Sequence, residues 1–149
     1  MATIVQQIND AVETRLDSLL GSEYSPLDYY IDIESNHFKG ARKRYSVRPV
    51  SGVSTDSITK VYTMNHDWEI TVTHDYINKR SDADQREKTF ILYDKMDDIV
   101  RDLHTSKAGL PSVVMNIEAV TYDEPEFLDE HNVAILRGFF TIKYRNALT

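Results

Sequence analysis

Apolar residues recur with a helical period in two stretches of this chain and with a period of two in three others. From Thr3 to about Leu20, Ile4, Val5, Ile8, Val12, Leu16, Leu19 and Leu20 share one helix face. Gln6, Gln7, Asp10, Glu13 and Asp17 lie mainly on the other, with Thr3 as cap and Gly21 as stop. The second helical stretch runs from Ser81 to Pro111. Leu92, Tyr93, Met96, Ile99, Val100 and Leu103 form its buried stripe, and Asp94, Lys95, Asp97, Asp98, Arg101 and Asp102 fall mostly opposite. Ser81 is a good N-cap that Asp84 can answer, and Asp82, Asp84 and Glu87 put negative charge at the positive end of the helix dipole. Gly109 and Pro111 stop it, with Lys107 in its last turn. A helix of this kind must cover a flat apolar surface.

Strands on either side supply that surface. Arg42 to Val50 alternates Tyr45, Val47 and Pro49 with Arg44, Ser46 and Arg48; Pro49 places it at an edge or at its own end. The polar Ser51–Ser57 segment suits a hairpin loop. Lys60 to Ile77 holds one phase throughout, with Tyr62, Met64, His66, Trp68, Ile70, Val72, His74 and Tyr76 on one face. An unbroken phase predicts one long curved strand or two collinear pieces around a bulge, more than roughly 40 Å in length, part of it projecting as a hairpin with Arg42–Val50. Ser112 to Tyr122 reads as a strand with Val113, Met115, Ile117 and Ala119 on one face. Asp123 to His131 is an acidic loop. Val133 to Tyr144 is apolar on both faces, which predicts a central strand, and Gly138 within it marks a bulge or a close approach. Ser22 to Gly40 is irregular; Tyr29, Tyr30, Ile31 and Ile33 suit a short strand or an ordered arm. The expected fold is α+β: a mostly antiparallel sheet of about four strands with a long β-hairpin, packed by an N-terminal helix and a long central helix.

At 149 residues, with no composition shift or repeat, the whole chain 1–149 reads as one domain. The absence of cysteine removes disulfides, thiolate metal sites and cysteine nucleophiles, and it fits a reducing compartment. No apolar run is long enough to cross a membrane, and the N-terminus does not resemble a secretory signal. The net charge of −7 argues against general nucleic-acid binding. Nine tyrosines suit half-buried sheets and protein–protein contacts.

Candidate chemistry is sparse. His37, His66, His74, His104 and His131 lack metal-site spacing. The acidic loop offers oxygen ligands in Asp123, Glu124, Glu126, Asp129 and Glu130, without the spacing of an EF-hand. There is no phosphate loop, nucleophile elbow or grouped Ser, His and Asp. No catalytic, cofactor or metal residue is therefore assigned, and no enzyme activity is expected. A basic cluster of Lys39, Arg42, Lys43, Arg44 and Arg48, with Lys60 nearby, reverses the sign of the chain locally. It fits a charge-guarded edge strand, a nucleic-acid contact with only Phe38 and Tyr45 interleaved, or subunit association. In the last case a basic strand and an acidic loop on one chain suit a head-to-tail, ring-closing interface.

An N-terminal helix (Thr3–Leu20), a projecting hairpin (Arg42–Ile77), a crossing helix (Ser81–Thr105) and a closing strand pair (Pro111–Arg145) together resemble the tail-terminator, or tail-completion, minor tail proteins of tailed bacteriophages. The stretch LHTSKAGLP followed by NIEAVTYDEPEF and ILRGFFTIKYR carries the resemblance most closely. The resemblance implies a homo-hexameric ring in the virion that caps the tail tube, ends its polymerisation and meets the head–tail connector and neck. Tail tube protein, neck proteins and a tail sheath where one exists would be its partners, with no cofactor, no membrane and no sequence-specific nucleic acid. Arg42, Arg44 and Arg48 with Asp123, Glu124, Glu126, Asp129 and Glu130 would join subunits, and the loop holding Ser51 and Asp56 would meet the tube. Another neck or baseplate component is a second expectation. A third is a ligand-binding or enzymatic domain with a cavity around His66, Trp68 and His74.

Overall fold

The computed structural model describes residues 3–26, 43–58, 61–75, 82–105, 107, 109–118, 120–128 and 133–147. Helix α1 spans Ile4–Leu20, and the Thr3 hydroxyl accepts the Gln6 N–H at 3.1 Å, as its cap role requires. Ile8, Val12, Leu16 and Leu20 are buried, Ile4 and Val5 partly so, while Leu19 turns outward. Helix α2 spans Asp82–Thr105 and buries Leu92, Met96, Ile99 and Leu103, the stripe its spacing predicts. Its expected cap Ser81 lies outside the described residues, as do the arm residues Tyr29, Tyr30, Ile31 and Ile33. The turn after α2 bonds the Leu110 N–H to the Lys107 carbonyl, with Gly109 at φ 84°, a conformation glycine adopts without strain.

Among the described residues the sheet has seven strands. They are β1 (Ser25–Pro26), β2 (Arg44–Ile58), β3 (Val61–Asp75), β4 (Val114–Ile117), β5 (Thr121–Tyr122), β6 (Glu126–Leu128) and β7 (Val133–Ala147). The main path runs β1-β2-β3-β7-β4, and β5 and β6 also pair with β7. The fold is α+β with a mixed sheet, because β1 lies parallel to β2 while every other pair is antiparallel. That is more strands than the four expected, for three local reasons. Ser25–Pro26 adds a short edge piece. The predicted strand over Ser112–Tyr122 breaks in two, with a register shift between Val114 and Asn116 that puts Val114 and Ile117 inside instead of Val113 and Met115. The acidic loop contains a strand of its own, β6.

The Ser51–Ser57 loop is corrected outright. Those residues belong to β2, which pairs with β3 from Arg44↔Thr73 to Ile58↔Val61. Two register shifts, between Pro49 and Ser51 and between Ser54 and Asp56, absorb the irregular composition. The paired strands therefore continue past the expected loop, as far as Ile58 and Val61. Nor does the hairpin project as two strands. β7 accompanies β3 over its full length, from Asp75↔Val133 to Val61↔Ala147, so the outer end of the sheet is three-stranded.

The core lies between the helices and one sheet face. Trp68, Ile70 and Val72 on β3, Tyr45 and Val47 on β2, and Phe140, Ile142 and Tyr144 on β7 meet both helix stripes there. Gly138 is a close approach, as one of its two sequence readings has it. A Cβ at that position would sit 2.9 Å from Met96 Cε, so α2 packs directly on the β7 backbone. Val133 and Ile135 form a second small cluster with Leu128 on the opposite face, where Thr71 and Thr73 are buried too. The inner end of the sheet is thus covered on both faces.

Candidate functional site

The basic strand and the acidic segment lie on opposite sides of the central pair β3–β7. Three strand spacings, roughly 14 Å, separate β2 from β6. Some of their charges are already engaged within the chain. Arg48 reaches Glu69 at 3.3 Å, and Arg137 reaches Glu126 at 3.2 Å. Such half-exposed pairs contribute about 0–1 kcal/mol each. The Arg44 N–H donates to the Thr73 hydroxyl at 3.0 Å, and the Arg44 guanidinium points to the Pro26 carbonyl at 3.5 Å. The Ser51 hydroxyl donates to Asp67 at 3.4 Å, and Asp67 also accepts the Thr141 hydroxyl at 2.6 Å. Asp56 stands opposite Thr63 in the β2–β3 ladder. Asp123 and Glu124 are exposed between β5 and β6, before the buried Pro125. Arg42, Asp129 and Glu130 lie outside the described residues.

Both sheet edges are guarded against strand addition. On β2 the guards are Pro49, which donates no N–H, two register shifts and the charge of Arg48. On the other side the edge is broken into three short strands. Contact with another protein therefore falls to faces rather than edges.

Two faces carry charge that the chain leaves unpaired among the described residues. On the sheet face opposite the helices, Lys143 lines up with Asn65 and Val53, and Arg145 with Thr63. Val53 is 63% exposed and Val61 40%. The alternation Thr141-Ile142-Lys143-Tyr144-Arg145 is the sequence signal for these cations, overshadowed by the apolar run before it. On α2, Asp94 and Asp98 are exposed. Of the four acidic residues expected on the outer face, Asp97 instead pairs with Arg101 and Asp102 with Arg15, at 3.1 and 2.9 Å.

Asp94 and Asp98 border an open groove of about 590 Å³ between α2 and the inner end of the sheet, with Lys43, Lys95 and His74 also in its wall. His74 is buried, its ring edge-on to Tyr24 at 6.1 Å, and its Nδ1 lies 3.1 Å from the Asp75 carbonyl. Burial pushes its pKa below the usual histidine value; the bond to Asp75 opposes this, and Lys88 and Lys43 reinforce it. Burial, with the charges of Glu23 and Asp75, pushes the Tyr24 phenol up to about 12. A histidine held neutral on folding stabilises the protein above its unfolded pKa, and this contribution is lost as pH falls through the lowered folded value. Urea unfolding from pH 7.5 to 5 should therefore show a loss of stability in the native chain that His74→Asn lacks; equal slopes would remove His74 as the cause.

His66, Trp68 and His74 do not converge on one cavity. Trp68 is fully buried, its ring stacked on Phe140 at 6.2 Å and its Nε1–H donating to Asn9 at 3.1 Å. His66 leans on Trp68 at 4.6 Å, eight residues along β3 from His74. Among the described residues no three His, Asp or Glu side chains are grouped to hold a metal ion, and no helix is long and apolar enough to cross a membrane.

No protein-family model matches this chain, and no curated protein matches it. Among solved structures, its fold is similar to that of a chain from the virion of a native gene transfer agent particle. The TM-score is 0.59 at 11% identity, over 98% of this chain and 100% of that one. At that identity the likeness is one of fold.

Proposed function

We propose that this chain is a structural virion protein of the tail-terminator kind. It caps the tail tube as a ring, ends tube growth and joins the tail to the neck. The observation that carries the proposal is the end-to-end fold likeness to a chain of a virion particle. The sequence resemblance across both helices, the hairpin and the closing strands supports the finer role. On this reading the chain acts by shape and contact and catalyses nothing. Its partners are further copies of itself, the tube protein and the neck proteins. Unpaired charge on two separate faces suits such a role better than a single buried pocket does.

The test is mass and position. Sedimentation of the chain alone and after mixing with tube protein should reveal a ring-sized species, and labelled chain should lie at the neck end of assembled tails. A chain that stays monomeric with tube protein present, and is missing from tails, would sink the proposal. A label at the baseplate end would instead select the neighbouring reading, another structural component of the same particle.

A further inference from the structure

We propose that the outer end of the sheet docks onto the acidic face of α2 in a second copy of this chain. The proposal rests on the assembly reading above and names the surfaces that carry it. The docking face is built by β2, β3 and β7 on the side away from the helices. Val53 and Val61 are exposed on it; Lys143 is in register with Val53 across Asn65, and Arg145 is opposite Thr63, two residues from Val61 on β3. Neither cation enters an ion pair among the described residues. Apolar surface flanked by unpaired cations fits a partner that offers unpaired carboxylates.

The chain itself carries such a surface. Helix α2 holds seven acidic and four basic residues. Asp84, Glu87, Asp97 and Asp102 have basic partners within the chain. Asp94 and Asp98 have none among the described residues, and they border the open groove, whose wall also holds Ile91, Lys43 and the ion-paired Lys95 and Arg101. One copy cannot bring the two surfaces together. The groove lies at the His74 end of the sheet, His74 pairs with Ala134, and Arg145 is eleven residues further along β7. That is up to about 36 Å of strand.

Two unlike, complementary surfaces at opposite ends of one molecule define a heterologous contact. Each added copy leaves one surface of each kind open until the assembly closes. The basic strand and acidic loop are poorer candidates, because Arg48 and Glu126 are already paired at home. Joining two sheet edges is disfavoured by Pro49 and the register shifts of β2. A nucleic acid fits less well than a second copy, since the chain as a whole carries a net charge of −7.

The test is a charge swap on the full chain, read by sedimentation with and without tube protein. Lys143→Glu with Arg145→Glu should weaken self-association by about tenfold or more, and so should Asp94→Lys with Asp98→Lys. An equimolar mixture of the two variants should recover association, because alternating copies meet through one swapped and one native contact, and a chain carrying all four changes should recover it on its own. Raised salt should weaken the native association. All four positions are on the surface, so circular dichroism and cooperative unfolding should be unchanged; this separates a lost contact from a lost fold. If native chains associate and neither pair of reversals alters that, or the four-fold variant fails to recover it, the docking surface is overturned and the virion reading stands. If native chains never associate, alone or with tube protein, both fall.

Discussion

Trp68→Ala lowers the free energy of unfolding by about 3–5 kcal/mol. Trp68 is the one tryptophan in the chain and is fully buried. Its ring is stacked on Phe140, and its Nε1–H gives Asn9 on α1 a partner 59 residues away in sequence. Truncation opens a cavity beneath the helix and removes the donor to a residue that is only 8% exposed. Domains of this size are stable by about 5–15 kcal/mol, so a large share of the total is lost. Trp68→Phe separates the two contributions. It retains most of the packing and leaves the Asn9 oxygen without that donor, at a cost of about 1–3 kcal/mol. Because the substitution removes the fluorophore, the measurement is urea unfolding followed by circular dichroism. A loss below about 1 kcal/mol for Trp68→Ala would mean that α1 is not seated on β3 as described.

Asp102→Ala should cost about 2 kcal/mol. Arg15 on α1 donates through Nε to Asp102 at 2.9 Å and through a second nitrogen to the Asp102 backbone carbonyl at 2.5 Å. The Arg15 side chain is only 13% exposed, and its remaining terminal nitrogen is buried without a hydrogen-bond partner among the described residues. Removing the carboxylate strands that cation where water reaches it poorly. Asp102 is 33% exposed, which holds the effect below that of a fully buried pair. Arg15→Ala and the double variant complete a cycle, and a coupling of about 1–2 kcal/mol is expected. Independent effects of the two substitutions would show that the bridge does not join the helices.

Both helices were legible because a 3.6-residue period is a local property: Ile8, Val12 and Leu16, and Leu92, Met96 and Ile99, fall where that period puts them. The long β3 and the central β7 were legible for a similar reason, unbroken phase in one and apolar content on both faces in the other. What was hidden depends on a partner far away in sequence. Gly52, Ser54 and Asp56 have the composition of a turn, yet β3 offers them a ladder and the strand continues past them. The register shift at Met115 is invisible to alternation counting because it belongs to the pairing with β7. Asp102 sits by period beside solvated residues, and its partner is 87 positions away. The expected interface residues have distant partners of the same kind. Arg48 and Glu126 look available in the sequence, and each is answered across a strand pair by Glu69 or Arg137.

β7 pairs with β3, β4, β5 and β6, and it follows all of them in the chain. During synthesis at about 5–20 residues per second, the ribosome completes every one of those strands before the segment that joins them exists. Until then β3 has only β2 beside it, and the apolar face formed by Trp68, Ile70 and Val72 waits for its second neighbour. Closing the sheet requires contacts between distant parts of the chain, which is the slow kind of folding. The nascent chain is therefore most open to aggregation and to chaperone capture just before Val133–Ala147 emerges.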